Sequence, residues 1–106
     1  VYEISMEDED LNNVDLTLTP EGTITLLEKQ VGRKDLPAPI AKVLEAKYPK
    51  AKYRFVEAVI DIVEKEEQLN SYEVILITPK KQTWALQLAL DGKIMKEENQ
   101  TGMEED

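Results

Sequence analysis

The 106 residues suffice for one domain with a modest core, and 42% hydrophobic with 33% charged residues is a globular composition that excludes disorder and collagen. Twenty-two acidic against 13 basic residues leave a net charge of −9, which repels nucleic acid and anionic lipid in the average field. Histidine and cysteine are both absent, which removes most routes to nucleophilic catalysis, transition-metal ligation and thiol redox chemistry, as well as any disulfide scaffold. No run approaches the roughly 18–20 apolar residues of a membrane-spanning helix, so no membrane insertion is expected. The opening Val1-Tyr2-Glu3-Ile4-Ser5-Met6 lacks the basic and apolar regions of a signal peptide, and a first residue other than Met is expected of a processed or trimmed chain, from which a leader could already have been lost.

A strand is predicted around Tyr2-Glu3-Ile4, followed by an acidic loop over Glu7 to Asn13. Val14, Leu16 and Leu18 then alternate with Asp15, Thr17 and Thr19, the period-two pattern of a half-buried strand. Pro20-Glu21-Gly22 is a turn leading into a third strand, and Gly32-Arg33-Lys34-Asp35 is a polar break. Ile40, Val43, Leu44 and Tyr48 fall at i, i+3, i+4 and i+8 and predict a helix with one apolar stripe. Asp35 is placed to cap its start, Pro37 and Pro39 suit its first turn, and Pro49 stops it.

Tyr53 to Glu64 reads as a long strand, with Val56, Ala58, Ile60 and Ile62 on one face and Tyr53, Phe55, Glu57 and Val59 on the other. Both faces carry apolar groups, which predicts a central strand. Glu64 to Gln68 reads as a charged hairpin loop. Tyr72 to Thr78 reads as the next strand, followed by a Pro79-Lys80-Lys81-Gln82 turn. Trp84, Leu86, Leu88 and Leu90 alternate with Thr83, Ala85, Gln87 and Ala89 in a further strand that ends at Asp91-Gly92. Glu97 to Asp106 is acidic and poor in apolar residues, so 101–106 is expected to be a disordered tail.

An internal repeat organises these elements. Tyr2-Glu3-Ile4 matches Tyr72-Glu73-Val74 at an offset of 70. Leu16 and Leu18 match Leu86 and Leu88 at the same offset, and Glu21-Gly22-Thr23-Ile24 matches Asp91-Gly92-Lys93-Ile94 without a gap. One unit is helix, long strand, then a three-stranded meander. On this reading 1–31 holds only the meander of a first unit and 32–100 a full second unit, together one compact domain. The fold class is α+β, an antiparallel meander with one helix packed on one face.

The string Asp35-Leu36-Pro37, Ile40, Tyr48-Pro49, Ala51, the long strand, Tyr72-Glu73-Val74 and Asp91-Gly92-Lys93 resembles the PepSY-like family, described as β-lactamase-inhibitor-like (BLIP-like). The resemblance covers about 35–98 as a full unit and 2–30 as a partial one. Lys50 departs from it, standing where the family often has Gly. The resemblance implies an exported bacterial protein, periplasmic or secreted. It also implies non-catalytic binding of another protein, such as an enzyme to be inhibited. It supplies no catalytic residues.

The chemistry-bearing clusters are weak as sites. Asp8, Asp10 and Asn12 alternate as in an EF-hand loop, but Asn13 and Thr19 stand where that loop needs Gly and Glu, so a solvated hairpin loop is the simpler reading. Ser5 and Ser71 have no histidine to activate them. The acidic clusters fall in loops, the tail or polar strand faces, where solvation keeps carboxylates ordinary. Asn99-Gln100-Thr101 fits a glycosylation sequon that matters only in a eukaryotic secretory pathway.

If the helix covers the face of Trp84, Leu86 and Leu88, the opposite face presents Tyr53, Phe55, Val59, Ile75, Ile77, Ala85 and Gln87. An exposed patch with aromatic anchors is the expected form of a protein-binding surface. Tyr53, Phe55, Val59, Ile75, Ile77 and Gln87 are therefore the candidate binding residues, and no catalytic, metal or cofactor site is assigned. One helix about 10 Å across covers only two or three strands spaced about 4.8 Å apart, so the first meander lacks its own cover: either a segment was removed or a second copy supplies one, and a homodimer is the expectation. The resulting function is protein binding. The alternatives are an enzyme using only carboxylates, Tyr or Lys, and a calcium-dependent structural module.

Overall fold

Seven strands and one helix account for nearly all of the regular structure in the computed structural model, which describes residues 1–9 and 12–102. The strands are β1 (Tyr2–Glu7), β2 (Asn13–Leu18), β3 (Ile24–Gln30), β4 (Lys52–Val63), β5 (Glu66–Ile77), β6 (Thr83–Ala89) and β7 (Ile94–Asn99). The helix α1 (Ala38–Lys47) lies between β3 and β4 and follows a short 3-10 turn at Arg33–Asp35. The strands form one antiparallel sheet in chain order, β1-β2-β3-β4-β5-β6-β7, which makes the architecture α+β.

The pairings repeat at the offset seen in the sequence. Tyr2 faces Leu18 as Tyr72 faces Leu88, Ile4 faces Leu16 as Val74 faces Leu86, and Glu7 faces Asn13 as Ile77 faces Thr83. The irregularity between Thr17 and Leu18 in β2 recurs between Gln87 and Leu88 in β6. The turns also match, with Gly22 N–H donating to the Thr19 carbonyl and Gly92 N–H to the Ala89 carbonyl, both at 2.9 Å. Gly22 and Gly92 take φ of 90° and 96°, a region that only glycine enters freely.

Residues directly opposite one another in a ladder share a face. One face therefore carries Val56, Ala58, Tyr72, Val74, Leu76, Leu86 and Leu88. These pack with Leu36, Ile40, Leu44, Tyr48 and Ala51 into a single core cluster, with Val43, Trp84 and Ile94 at its margin. Ile40, Leu44, Val74, Leu76 and Leu88 are fully buried, each side chain contributing about 1.5–3 kcal/mol by leaving water. Tyr48 follows α1, stacks obliquely on Trp84 at 5.7 Å and donates a short hydrogen bond from its hydroxyl to Glu97. Lys47 Nζ reaches the same carboxylate at 2.8 Å. The helix lies close to the β6–β7 turn, because a Cβ at Gly92 would stand 2.8 Å from the Pro39 carbonyl oxygen.

Three local expectations are corrected. Asp35 does not cap α1; its carboxylate accepts the Gly32 N–H at 2.8 Å and closes the preceding 3-10 turn, while Pro37 stands at the N-cap of α1. β5 begins at Glu66 and not at Tyr72, so the Glu64–Gln68 loop shrinks to a turn at Glu64 and Lys65. Both of those residues take positive φ, 53° and 68°, the geometry of a tight hairpin turn usually signalled by Asn-Gly, and their charged side chains conceal it in the sequence. Third, β4 carries an irregularity between Tyr53 and Phe55, so Tyr53 faces Leu76 while Phe55 faces Ile75. The bulge at Arg54 turns Tyr53 to the helix side, where it packs against the core under the Arg33 guanidinium, 4.1 Å from the ring centre. Lys50, at the position where the resemblance expects Gly, holds φ 62° after the helix.

Candidate functional site

The sheet face opposite α1 is the candidate site. Register places Phe55, Glu57, Val59 and Asp61 of β4 on it, beside Ser71, Glu73, Ile75 and Ile77 of β5 and Thr83, Ala85 and Gln87 of β6. On the other flank β3 contributes Leu26, Glu28 and Gln30, and β2 contributes Asp15 and Thr17. The structure thus brings together five of the six candidate binding residues, Phe55, Val59, Ile75, Ile77 and Gln87. It separates Tyr53 from them, for the reason given above. Phe55, Ile75 and Ile77 are half-buried and Val59 is buried, so neighbouring side chains cover part of the apolar area.

The centre of this face holds a carboxylate cluster. Glu57 stands opposite Glu73, and Glu28 stands opposite Val59 on the neighbouring strand, diagonal to Glu57. One carboxylate oxygen from each of Glu28, Glu57 and Glu73 lies within 4.8 Å of the others. Glu57 is only 7% exposed, as expected for a side chain walled in by two neighbouring strands. Burial, then repulsion from Glu28, Glu73 and Asp15, pushes its carboxyl up to about 7, with donation to Glu28 adding to the effect. Glu28 is also raised, chiefly by burial and then by Glu73, while the hydrogen bond from Glu57 opposes the rise. Three carboxylates this close cannot all ionise without strong repulsion, and a shared proton between Glu57 and Glu28 relieves it. The same three oxygens could serve a divalent cation, but they supply at most half of the 6–8 oxygen ligands calcium takes.

Between β5, β6 and β7 the face dips into a hollow of about 210 Å³ lined by Glu73, Ile75, Ala85, Gln87, Lys96 and Glu98. Small-molecule sites generally occupy ~300–1,000 Å³, so this hollow is a shallow one. Gln87 crosses its floor and donates to the Ser71 hydroxyl at 3.1 Å. Ser71 is fully buried and so engaged in structure; Ser5 donates to Asp15 at 2.7 Å on the exposed edge. In the acidic loop the Asp8 carboxylate accepts the Asn12 N–H at 3.0 Å and lies 3.7 Å from Lys29 Nζ, while Asp10 lies outside the described residues. At the sequon, Asn99 Oδ1 accepts the Thr101 N–H at 2.8 Å.

Sequence reasoning gave no site role to Glu28, Glu57 or Glu73, and its expectation that solvation keeps the acids of strand faces ordinary fails at Glu57, which its neighbours bury. The available signal is Glu57 itself, a lone acid between Val56 and Ala58 in an otherwise apolar strand stretch. Its two partners come from strands 29 and 16 residues away in the chain, a proximity that only register creates.

No protein-family model matches the chain, and neither does any curated protein. Solved structures do. A candidate periplasmic protein from Bacteroides eggerthii DSM 20697 superposes with a TM-score of 0.79 at 13% identity, covering 94% of this chain and 70% of its own. A BLIP-like protein from Bacteroides fragilis NCTC 9343 superposes with a TM-score of 0.68 at 10% identity, covering 100% of this chain and 79% of its own. At these identities the likeness is one of fold, and the fold is BLIP-like. No helix among the described residues is long and apolar enough to cross a membrane.

Proposed function

We propose that this chain is a non-catalytic, exported protein-binding module of the BLIP-like and PepSY-like type, built from a partial unit over 1–31 and a full unit over 32–100. It meets another protein through the open face of its sheet. The observation that carries this reading is a broad face on which the half-buried Phe55, Ile75 and Ile77 adjoin the Glu28, Glu57 and Glu73 carboxylates. A partner that lays an apolar side chain over Phe55 and Ile75 and basic groups over the carboxylates matches both features. Complementary charge of this kind orients and speeds association. The fold likeness to a BLIP-like protein supports protein binding, with an enzyme as the class of partner that the sequence resemblance implies. Export is supported by the likeness to a candidate periplasmic protein.

The test is capture from a periplasmic extract of the source organism with wild-type protein and with Phe55→Asp as bait. Thermal unfolding must first show that the variant is folded. Loss of the captured protein with Phe55→Asp is expected, and undiminished capture refutes the assignment of this face.

A second reading, an enzyme working through carboxylates, rests on the Glu57 carboxyl, raised into the range of a general acid or base. Carbon-13 NMR of the glutamate side chains tests it. A Glu57 carboxyl titrating near 4.5 removes the reading.

A further inference from the structure

Several of the exposed large apolar side chains lie on the helix side of the sheet, over the strands that α1 does not reach. Tyr2, Ile4 and Met6 of β1 share this side with Val14, Leu16 and Leu18 of β2 and Ile24 and Leu27 of β3. The second half of the chain shows what such a face is built for. Tyr2 is 61% exposed where Tyr72 is 8%, Ile4 is 46% where Val74 is 0%, and Met6 is 50% where Leu76 is 0%. β1 is the sheet's edge and β5 an interior strand, which accounts for part of this difference, but β2 and β6 both lie between two strands, and there Leu16 and Leu18 are half-buried where Leu86 and Leu88 are buried. What covers the second half is α1, whose Ile40 and Leu44 lie in the same core cluster as Tyr72, Val74, Leu76, Leu86 and Leu88.

The turns give a second, separate indication. Gly92 lies against α1, with the Pro39 carbonyl oxygen 2.8 Å and a Val43 methyl 3.2 Å from where a Cβ would stand. Gly22 occupies the same place in the first meander with nearly the same φ, and nothing among the described residues lies within 4 Å of its Cβ position. Beside it a depression of about 690 Å³ runs between Ile24, Leu27 and Ile62 and is edged by Glu64, Lys65 and Glu67. The φ of Gly22 calls for glycine in any case, so what the turn adds is that nothing obstructs a helix lying there as α1 lies at Gly92, over an apolar floor like the one α1 covers.

We propose that this uncovered face is a docking site for an amphipathic helix of a partner polypeptide, lying as α1 lies on the second meander. The helix presents aliphatic side chains at i, i+4 and i+8, as Ile40, Leu44 and Tyr48 do, with its first turn against Gly22. At its far end it differs from α1. The Glu97 carboxylate that holds Lys47 and Tyr48 has Leu27 as its counterpart, so an aliphatic residue replaces the Tyr-Lys pair there. This proposal does not depend on the open-face reading, since it concerns the other side of the sheet.

The probe is a synthetic peptide of residues 33–50 of this chain carrying Lys47→Ala and Tyr48→Leu. It is added to isotope-labelled protein at up to millimolar concentration and, in a second arm, tethered to Val1 through a flexible glycine-serine linker that raises its effective concentration. Amide shifts confined to β1, β2, β3 and Gly22 are expected, together with a raised melting temperature in the tethered form. Both are expected to disappear with Ile4→Asp in the protein or Leu44→Asp in the peptide. Absence of these shifts and of stabilisation in both arms overturns the proposal. So does a dimer in analytical ultracentrifugation that Ile4→Asp dissociates, because a second copy is then the occupant.

Discussion

Replacing Glu57 by Gln separates the effect of charge from that of packing at the centre of the open face. Gln has nearly the shape of the protonated acid and can still donate to Glu28, but it demands no proton. In the folded chain the Glu57 carboxyl is raised from 4.5 to about 7. A group whose folded pKa is raised binds more protons in the folded than in the unfolded state between those two values, so stability falls as pH rises through that window. Each unit corresponds to about 1.36 kcal/mol, so the wild type should lose about 3 kcal/mol between pH 4.5 and pH 7 from this group and little more above it. The variant should lack that slope. Urea unfolding at pH 4.5 and pH 8 measures the difference. The two proteins should be nearly equal at the lower pH, and the variant should have the higher midpoint at pH 8. With m of about 1–3 kcal/mol/M for a small domain, that gain is about 1–3 M urea. Equal midpoints at pH 8, or a Gln variant weaker by the same amount at both pH values, would refute the claim that repulsion and burial raise the group.

Two further outcomes test how the helix sits. Gly92→Ala and Gly22→Ala both force a side chain onto positive φ, at about 1–2 kcal/mol each, but only the former drives a Cβ into the Pro39 carbonyl. Chemical denaturation should show Gly92→Ala the more destabilised by about 1–3 kcal/mol, and equal losses would mean that α1 does not approach that turn. Leu44→Ala, at a fully buried helix position, should lower stability by about 2–5 kcal/mol, and a loss under 1 kcal/mol would contradict its place in the core.

Local pattern carried far in this chain. Alternation at Val14-Leu16-Leu18 and Trp84-Leu86-Leu88 located strands, the i, i+3, i+4 stripe at Ile40, Val43 and Leu44 located the helix, and the 70-residue offset led to ladders with equal pairings. These signals are legible because each element buries one face, and burial imposes a period on neighbouring residues. The failures came where one residue shifts that period. The bulge at Arg54 moved Tyr53 across the sheet although its side chain fits the expected alternation, and the turn at Glu64 and Lys65 takes left-handed geometry without the glycine or asparagine that usually announces it.

What the sequence by itself determined is the inventory: seven strands, one helix, no histidine or cysteine chemistry, and a surplus of acid. Which acids matter was decided only by tertiary structure. Glu28, Glu57 and Glu73 belong to three different strands and meet because the ladders fix their register, and in a sheet one step of register moves a side chain to the opposite face. The same holds for the two apolar faces. Ile4 and Val74 read alike along the chain, and they differ in the fold because β1 is the sheet's edge while β5 is interior, and because a single helix about 10 Å wide covers only part of a seven-stranded sheet.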